Sequence, residues 1–265
     1  MRLPLLAPCA VLLLGACASP GGLNIDTRYS AKGQDSRAQF LVIHYTEGNF
    51  NNSLRILTER EVSAHYLLSD ETPPVIYRLV DENRRAWHAG ASSWKGAAML
   101  NAASIGIEIV HPGFVDLPQG RFWPPYADAQ IDALIPLVQD IVKRHAILPE
   151  RVLGHSDVAP QRKVDPGPRF PWKRLADAGL IAWPDAARVA EQRKAYEQTL
   201  PDIAWFQASL ARHGFALPQS GELDELTRKV IAAFQMKYRP ALFDGTTDAE
   251  TAALLQVLIT PVAPR

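Results

Sequence analysis

Two histidines and one aspartate have the side chains and the local settings that could hold a metal ion. His155 and Asp165 lie in the segment Gly154-His-Ser-Asp-Val-Ala-Pro-Gln-Arg-Lys-Val-Asp-Pro-Gly-Pro168. Its prolines and glycines fix the backbone and leave the side chains free to face a cleft. His44 ends the apolar run that begins at Phe40. Together these residues could offer a divalent ion two neutral imidazoles and one carboxylate, with a fourth position left open as in catalytic zinc sites.

Two charged residues near these candidates could also take part in chemistry. If the chain around Val164 is extended, Lys163 points to the same side as Asp165. Glu108 lies in the alternating run Ser104-Ile-Gly-Ile-Glu-Ile-Val110 and faces away from the isoleucines. The alternation alone leaves two interpretations of Glu108 open, a solvated carboxylate or a functional one.

The other histidines are expected to have ordinary structural roles. The seven histidines stand at positions 44, 65, 88, 111, 145, 155 and 213. His65 lies in an apolar run, which favours a packed or hydrogen-bonded side chain. His145 and His213 are expected at helix ends, where a histidine can interact favourably with the helix dipole.

Alternating strand and helix signals position the candidate residues. The strand signals cover residues 40–44, 64–68, 75–80 and 104–110. Apolar residues recur at helical spacing from Ile131 to Val142, and Pro136 is expected to kink this helix or to move its start. The pattern predicts an α/β fold with a mixed central sheet flanked by helices, over residues 36–182.

The C-terminal part of the chain has a purely helical pattern. A charged, polar stretch at 183–199 is predicted to be a linker, either a domain boundary or a connecting helix, and residues 200–265 are predicted to form a small three-helix domain. Thr247-Asp-Ala-Glu250 has the spacing of a capping box before the third helix. We find no long internal repeat. The apolar stripes that mark the three helices are Ile203, Phe206 and Leu210, then Leu226, Val230, Ala233 and Phe234, then Leu254, Leu255 and Leu258.

Composition excludes several classes of protein. The 265 residues contain 28 basic and 28 acidic side chains, so the chain lacks the basic field that nucleic-acid binding requires, and we expect no nucleic-acid partner. Two cysteines, Cys9 and Cys17, are too few for a framework of several disulfides or for a thiolate zinc site.

The N-terminus is typical of an exported protein. Residues 1–16 have a basic start, an apolar run and small residues, which is the order of a secretory signal peptide. Leu14-Gly-Ala-Cys17 resembles a bacterial lipobox, so Cys17 is predicted to be lipidated and to anchor the chain to a membrane, followed by a tether at 17–35. The alternative is an ordinary signal peptide with an incidental cysteine.

Five motifs together resemble one enzyme family. In order they are Val-Ile-His44, Ser-Ala-His-Tyr66, Trp87-His-Ala-Gly90, Ser-Ile-Gly-Ile-Glu108 and the segment from Gly154 to Pro168. They are similar to the zinc-dependent N-acetylmuramoyl-L-alanine amidases of the AmpD and AmiD type (amidase 2 family), over about residues 39–182. Ala-Phe-Gln235 and Asp-Gly245 resemble a peptidoglycan-binding type 1 domain.

The resemblance implies an activity and a set of site residues. It implies hydrolysis of the amide between N-acetylmuramic acid, or its anhydro form, and L-alanine of the stem peptide, with one zinc ion per chain held by His44, His155 and Asp165. Glu108 would act as general base and then acid, and Lys163 would stabilise the oxyanion. Trp87, His88 and Arg162 are expected to line the substrate groove, and the alternative for them is ordinary packing and surface charge.

The resemblance also implies partners and a location. Peptidoglycan and muropeptides are the expected partners, and no obligate protein partner is evident. With the lipobox, the likeness favours lipid-anchored members on the periplasmic face of the outer membrane of a Gram-negative bacterium.

Two other functions and a second role for the helical domain stay open at this point. The same scaffold binds muropeptides without cleaving them in peptidoglycan-recognition proteins, and a zinc peptidase would cut within the stem peptide. The helical domain either binds peptidoglycan or serves only as a packing domain.

Overall fold

The computed structural model describes residue 23 and residues 25–260. The chain divides into two units, one up to residue 35 and the other from Ser36 onward. The described residues of the first unit form no helix or strand. The predicted signal peptide at 1–16 and the predicted lipidation site Cys17 lie outside the described residues, so both stay predictions.

The second unit contains a central sheet and two hairpins. In the described residues the strands are β1 (Phe40–Tyr45), β2 (Tyr66–Leu68), β3 (Ile76–Arg78), β4 (Ser93–Trp94), β5 (Ala97–Ala98), β6 (Ser104–Ile109), β7 (Val115–Leu117), β8 (Gly120–Phe122) and β9 (Val152–Gly154). The central sheet has the order β3-β2-β6-β1-β9, and β4-β5 and β7-β8 are hairpins. Only β3 runs antiparallel to its neighbour within that sheet.

Helices cover the sheet and form the C-terminal part. They are α1 (Phe50–Glu59), α2 (Asp128–His145), α3 (His155–Val158), α4 (Trp172–Asp177), α5 (Ala186–Gln198), α6 (Ile203–His213), α7 (Glu225–Tyr238) and α8 (Ala249–Ile259). Short 3₁₀ helices span Leu100–Ala102 and Pro149–Arg151. The predicted mixed α/β fold followed by helices is confirmed. None of the helices among the described residues combines the length and the apolar character needed to cross a bilayer.

The two faces of the sheet pack into different cores because side chains alternate along each strand. Leu41 and Ile43 of β1 join a core with the apolar stripe of α2, which includes Leu134 and Val138. Phe40 and Val42 join a second core with residues of the C-terminal helices. All six residues of β1 are buried, as expected for a parallel strand covered on both faces.

Helix α2 continues through Pro136 instead of starting after it. The helix begins at Asp128 and ends at His145, so the proline does not move its start, and the kink expected as the alternative stays a prediction. The reason is that the buried stripe of α2 packs against the sheet, and this packing outweighs one lost backbone hydrogen bond.

Aspartates begin the C-terminal helices. Asp202, Asp224 and Asp248 accept hydrogen bonds from the backbone N–H groups three residues on, at 2.7 to 2.9 Å. The N-cap residue of α8 is therefore Asp248, whereas the capping-box spacing predicted Thr247, one residue earlier. The stretch at 183–199 that we predicted as a linker contains α5, which packs against α8.

A short structural repeat links successive helices, although the sequence shows no long one. Two buried glutamines each accept a hydrogen bond from a loop glycine N–H and donate one to the hydroxyl of a buried threonine. The two sets are Gln207, Gly221 and Thr227, then Gln235, Gly245 and Thr251.

The C-terminal helices share a core with the sheet, and α7 forms a buried ion pair with α3. Trp94 of the β4-β5 hairpin packs edge-on against His213 and Phe215, with ring centroids 5.5 and 5.0 Å away. Lys237 Nζ of α7 lies 2.7 Å from Asp157 Oδ2 of α3, and both side chains are at most 5% exposed. The same ammonium group lies 4.2 Å from the ring centroid of Trp172.

Replacing Lys237 by alanine is expected to lower the free energy of unfolding by about 3–5 kcal/mol, because Asp157 would remain buried without its partner. Urea denaturation followed by circular dichroism measures the change. Lys229→Ala is the matched control on the same helix. Its ion pair with Glu225 is exposed to solvent, so its loss is expected to change the free energy of unfolding far less. Equal losses in the two variants would contradict the prediction.

Candidate active site

The sheet register brings the candidate residues of three strands to one edge. His44 of β1 pairs with Glu108 of β6, so both side chains point to the same face. His155 is the first residue after β9, the other parallel neighbour of β1. All three lie at or near the carboxyl ends of parallel strands, where α/β sheets commonly bind ligands.

His44, His155 and Asp165 converge on a single point. His44 Nδ1 lies 3.0 Å from His155 Nδ1 and 3.1 Å from Asp165 Oδ2, and His155 Nδ1 lies 3.1 Å from the same oxygen. The three residues are at most 5% exposed. Two imidazole nitrogens and one carboxylate oxygen in this arrangement form a group that can bind a metal ion.

The protonation states in this group suit metal binding. Burial, followed by the charge of His155, lowers the pKa of His44 to about 4, although Asp165 opposes the shift. Burial by itself would raise the pKa of Asp165, but the charge and hydrogen bond of His155, together with those of His44, hold it well below its usual value. At neutral pH His44 is therefore neutral and Asp165 ionised, which are the forms that bind metals.

Glu108 and Lys163 face the same space. Both line a cavity of about 190 Å³ together with the three residues of the metal-binding group. Glu108 Oε2 is buried and has no hydrogen-bond partner within residues 25–260. Burial and then the charge of Asp165 raise the pKa of Glu108, while Lys163 lowers it. The cavity thus contains a carboxyl oxygen whose hydrogen-bonding capacity is free for a bound molecule.

Comparison with known families agrees with this geometry. Residues 34–168 match the family described as N-acetylmuramoyl-L-alanine amidase, and residues 199–255 match a putative peptidoglycan binding domain. The chain is 44% identical to the N-acetylmuramoyl-L-alanine amidase AmiD of Escherichia coli K12 over 94% of its own length and 95% of that protein. The chain belongs to the N-acetylmuramoyl-L-alanine amidase family. The predicted membership is confirmed and indicates amidase activity.

Solved structures share the fold of this amidase over about nine tenths of the chain. E. coli AmiD in complex with anhydro-N-acetylmuramic acid-L-Ala-D-gamma-Glu-L-Lys superposes with a TM-score of 0.81 and 43% identity, covering 90% of this chain and 95% of that one. AmpDh3 from Pseudomonas aeruginosa in complex with anhydromuramic pentapeptide gives a TM-score of 0.83 and 39% identity, covering 89% and 97%.

The three residues predicted to line the substrate groove have different surroundings in the amidase. Trp87 is 50% exposed and lies in a groove of about 610 Å³ beside the cavity, with the Arg85 guanidinium 4.1 Å from its ring centroid. His88 is buried, and its Nδ1 lies 3.0 Å from His44 Nε2. Arg162 donates through Nη2 to the carbonyl oxygens of Ala89 and Ala91. Contact of these residues with substrate stays a prediction, but His88 and Arg162 already have partners inside the protein.

Sequence reasoning missed two residues that support the site. The Asn101 side chain accepts hydrogen bonds from the backbone N–H groups of His88 and Ala89. Ser104 Oγ lies 3.0 Å from His88 Nε2. The alternation along β6 could have identified Ser104, because it lies on the same face as Glu108. No local signal marks Asn101, which reaches His88 across the β4-β5 hairpin.

Proposed function

We propose that this amidase hydrolyses the amide between N-acetylmuramic acid, or its anhydro form, and L-alanine of the peptidoglycan stem peptide. The observation that carries the proposal is the convergence of His44, His155 and Asp165 beside Glu108, whose Oε2 has no partner within the described residues. The complexes of AmiD and AmpDh3 with anhydromuramic peptides support this substrate class.

The resident metal in the proposal is one zinc ion per chain. Two histidine nitrogens and one carboxylate oxygen fit zinc, and three protein ligands leave a position open for chemistry. When bound, zinc supplies Lewis-acid chemistry, which polarises a carbonyl group and lowers the pKa of water to about 7.

Glu108 and Lys163 supply the remaining steps. Glu108, on the same face of the sheet as His44, is placed to accept the proton of the attacking water at Oε2 and to pass it to the leaving amide nitrogen. Lys163 lines the same cavity, and its ammonium group would stabilise negative charge on the carbonyl oxygen in the transition state.

The groove beside the cavity is the proposed binding site for the glycan and the peptide. Trp87 offers a half-exposed indole face on which a sugar ring can stack, next to the exposed Val62. The groove opens onto His155 and Lys163, so a bound muropeptide can place its scissile amide at the metal-binding group.

The C-terminal helices are proposed to hold the amidase on its polymer and so to raise the local substrate concentration. Residues 199–255 match a putative peptidoglycan binding domain. The shared core means that binding is best measured on the whole chain. The Glu108→Gln chain should sediment with purified sacculi without degrading them. If it stays in the supernatant, the helices act only in packing.

The location is proposed from the sequence alone. Lipidation at Cys17 would anchor the chain at the periplasmic face of the outer membrane of a Gram-negative bacterium. Radiolabelled palmitate incorporation, with Cys17→Ser as the control, tests the anchor. Incorporation that persists in Cys17→Ser would overturn it.

Chelation is expected to abolish peptide release from sacculi, because the reaction depends on the metal, and added zinc should restore it while magnesium should not. Mass spectrometry of the soluble products identifies the bond that is cut. Intact stem peptides beginning with L-alanine support the amidase. Shorter peptides would indicate cleavage within the stem, and no release under any condition would indicate a binding protein.

A further inference from the structure

We propose that His88 and the Ala89 carbonyl are positioning groups that keep Nδ1 of both ligand histidines free of a proton and available to the metal. This inference rests on the proposed metal site. It concerns the four-residue segment Trp87–Gly90, which passes behind His44 and His155.

The hydrogen bonds around His88 define the tautomer of His44. Ser104 Oγ lies 2.6 Å from the carbonyl oxygen of Leu100, which can only accept, so the hydroxyl proton is donated there. The same Oγ, 3.0 Å from His88 Nε2, must then accept from that ring nitrogen. With its proton on Nε2, neutral His88 has a lone pair on Nδ1, which accepts from His44 Nε2 at 3.0 Å. His44 therefore has its proton on Nε2, and its Nδ1 lone pair faces His155 and Asp165.

Ala89, the residue after His88, defines the tautomer of His155 through its carbonyl oxygen. His155 Nε2 lies 3.3 Å from the Ala89 carbonyl oxygen. Arg162 Nη2 also lies 3.4 Å from this nitrogen, but its two hydrogens are donated to the carbonyl oxygens of Ala89 and Ala91. Because the Ala89 carbonyl oxygen only accepts, His155 carries its proton on Nε2, which leaves Nδ1 free. Two consecutive residues thus set the tautomers of both ligand histidines.

The segment is held in place from both sides. Asn101 Oδ1 accepts from the backbone N–H groups of His88 at 3.1 Å and Ala89 at 2.7 Å. Arg162 donates to the carbonyl oxygens of Ala89 and Ala91, the latter at 2.9 Å. These contacts fix the Ala89 carbonyl relative to His155.

The position of the His88 ring requires a glycine at position 106 of β6. A Cβ atom at Gly106 would lie 2.4 Å from Cγ of His88, so any side chain there would displace the ring. Ser104, Gly106 and Glu108 lie on one face of β6, where they provide the hydrogen-bond acceptor for His88, the space for its ring and the carboxyl group of the cavity. The strand therefore supports the metal ligand His44 indirectly as well as supplying Glu108.

The arrangement matters because the opposite tautomer of either histidine would point an N–H bond at the metal position. Groups that orient ligand histidines in this way typically change metal affinity or activity about 10- to 100-fold when they are removed. His88 and Ala89 would therefore act on the metal through His44 and His155.

The test compares two substitutions of His88. His88→Leu removes the acceptor for His44 Nε2, whereas His88→Asn places an amide oxygen near the original Nδ1 position. We expect zinc affinity, measured by competition with a chromophoric chelator, to fall about 10- to 100-fold in His88→Leu and to change far less in His88→Asn. Ser104→Ala removes only the hydroxyl group that accepts the hydrogen bond from His88 Nε2, and it should also weaken zinc binding.

A spectroscopic measurement on the unsubstituted protein does not depend on how the variants fold. Two-bond ¹H–¹⁵N spectra of the zinc-free protein should show His44 and His155 as Nε2–H tautomers. Nδ1–H tautomers there, or equal zinc affinity in His88→Leu and the original chain, would overturn the inference. Either result would leave the proposed function intact if chelation still abolishes peptide release, so the two proposals can fail separately.

Discussion

Replacing Glu108 by glutamine is expected to lower the rate of amide hydrolysis by about 10²- to 10⁴-fold while zinc binding is retained. Glutamine keeps the shape of the side chain but cannot accept and return a proton. Zinc binding should persist because Glu108 is not one of the three converging ligands. The expected loss therefore lies in turnover and not in metal content.

Release of stem peptides from sacculi, measured at equal zinc occupancy, checks this expectation. Glu47→Gln is the matched control, because Glu47 lines the same cavity and its loss removes one negative charge there. We expect that control to retain most of its activity. A Glu108→Gln chain with full activity would remove Glu108 from the proposed chemistry.

The second large effect is expected from His155→Ala, which should lose zinc and activity together. His155 Nδ1 is within 3.1 Å of both other ligand atoms, so its removal leaves only two ligands and opens the buried pocket. Asp165 would also lose the partner that contributes most to its low pKa. Two ligands do not complete the site that zinc requires.

Metal content after dialysis and the effect of zinc on the thermal midpoint measure this loss. A ligand at about 1,000 times its dissociation constant stabilises the folded state by about 4 kcal/mol, so zinc should raise the midpoint of the original chain and not that of His155→Ala. His145→Ala is the control, because His145 lies at the end of α2 and binds Glu82 and Ser36 instead of the metal group. Stoichiometric zinc in His155→Ala would exclude His155 as a ligand.

The central strands and the metal-binding group follow closely from the sequence. The run from Phe40 to His44 became β1, and the run from Ser104 became β6 with Glu108 facing away from the isoleucines. These features are local, since strand alternation and buried apolar runs depend on neighbours in the chain. The convergence of His44, His155 and Asp165 was expected from their residue types and the family motifs.

Features that depend on distant contacts could not be predicted from the sequence. The charged, polar residues 183–199 indicated a boundary or a connecting helix, but they did not indicate that α5 packs against α8. The helical pattern gives no sign that Lys237 is buried. It nevertheless forms an ion pair with Asp157, which lies 80 residues away in the chain. Pro136 was expected to kink α2 or to move its start, but the helix begins before the proline, at Asp128, because it packs against the sheet.

The sequence by itself determined the family, the residue types of the metal-binding group and the strands that carry His44 and Glu108. Only the tertiary structure decided that His88 lies behind His44, that Arg162 holds the carbonyls at Ala89 and Ala91, and that the C-terminal helices share a core with the sheet. The physical reason is that residue type limits what a side chain can donate or accept. Which partner it meets depends on strand register and on packing between distant segments.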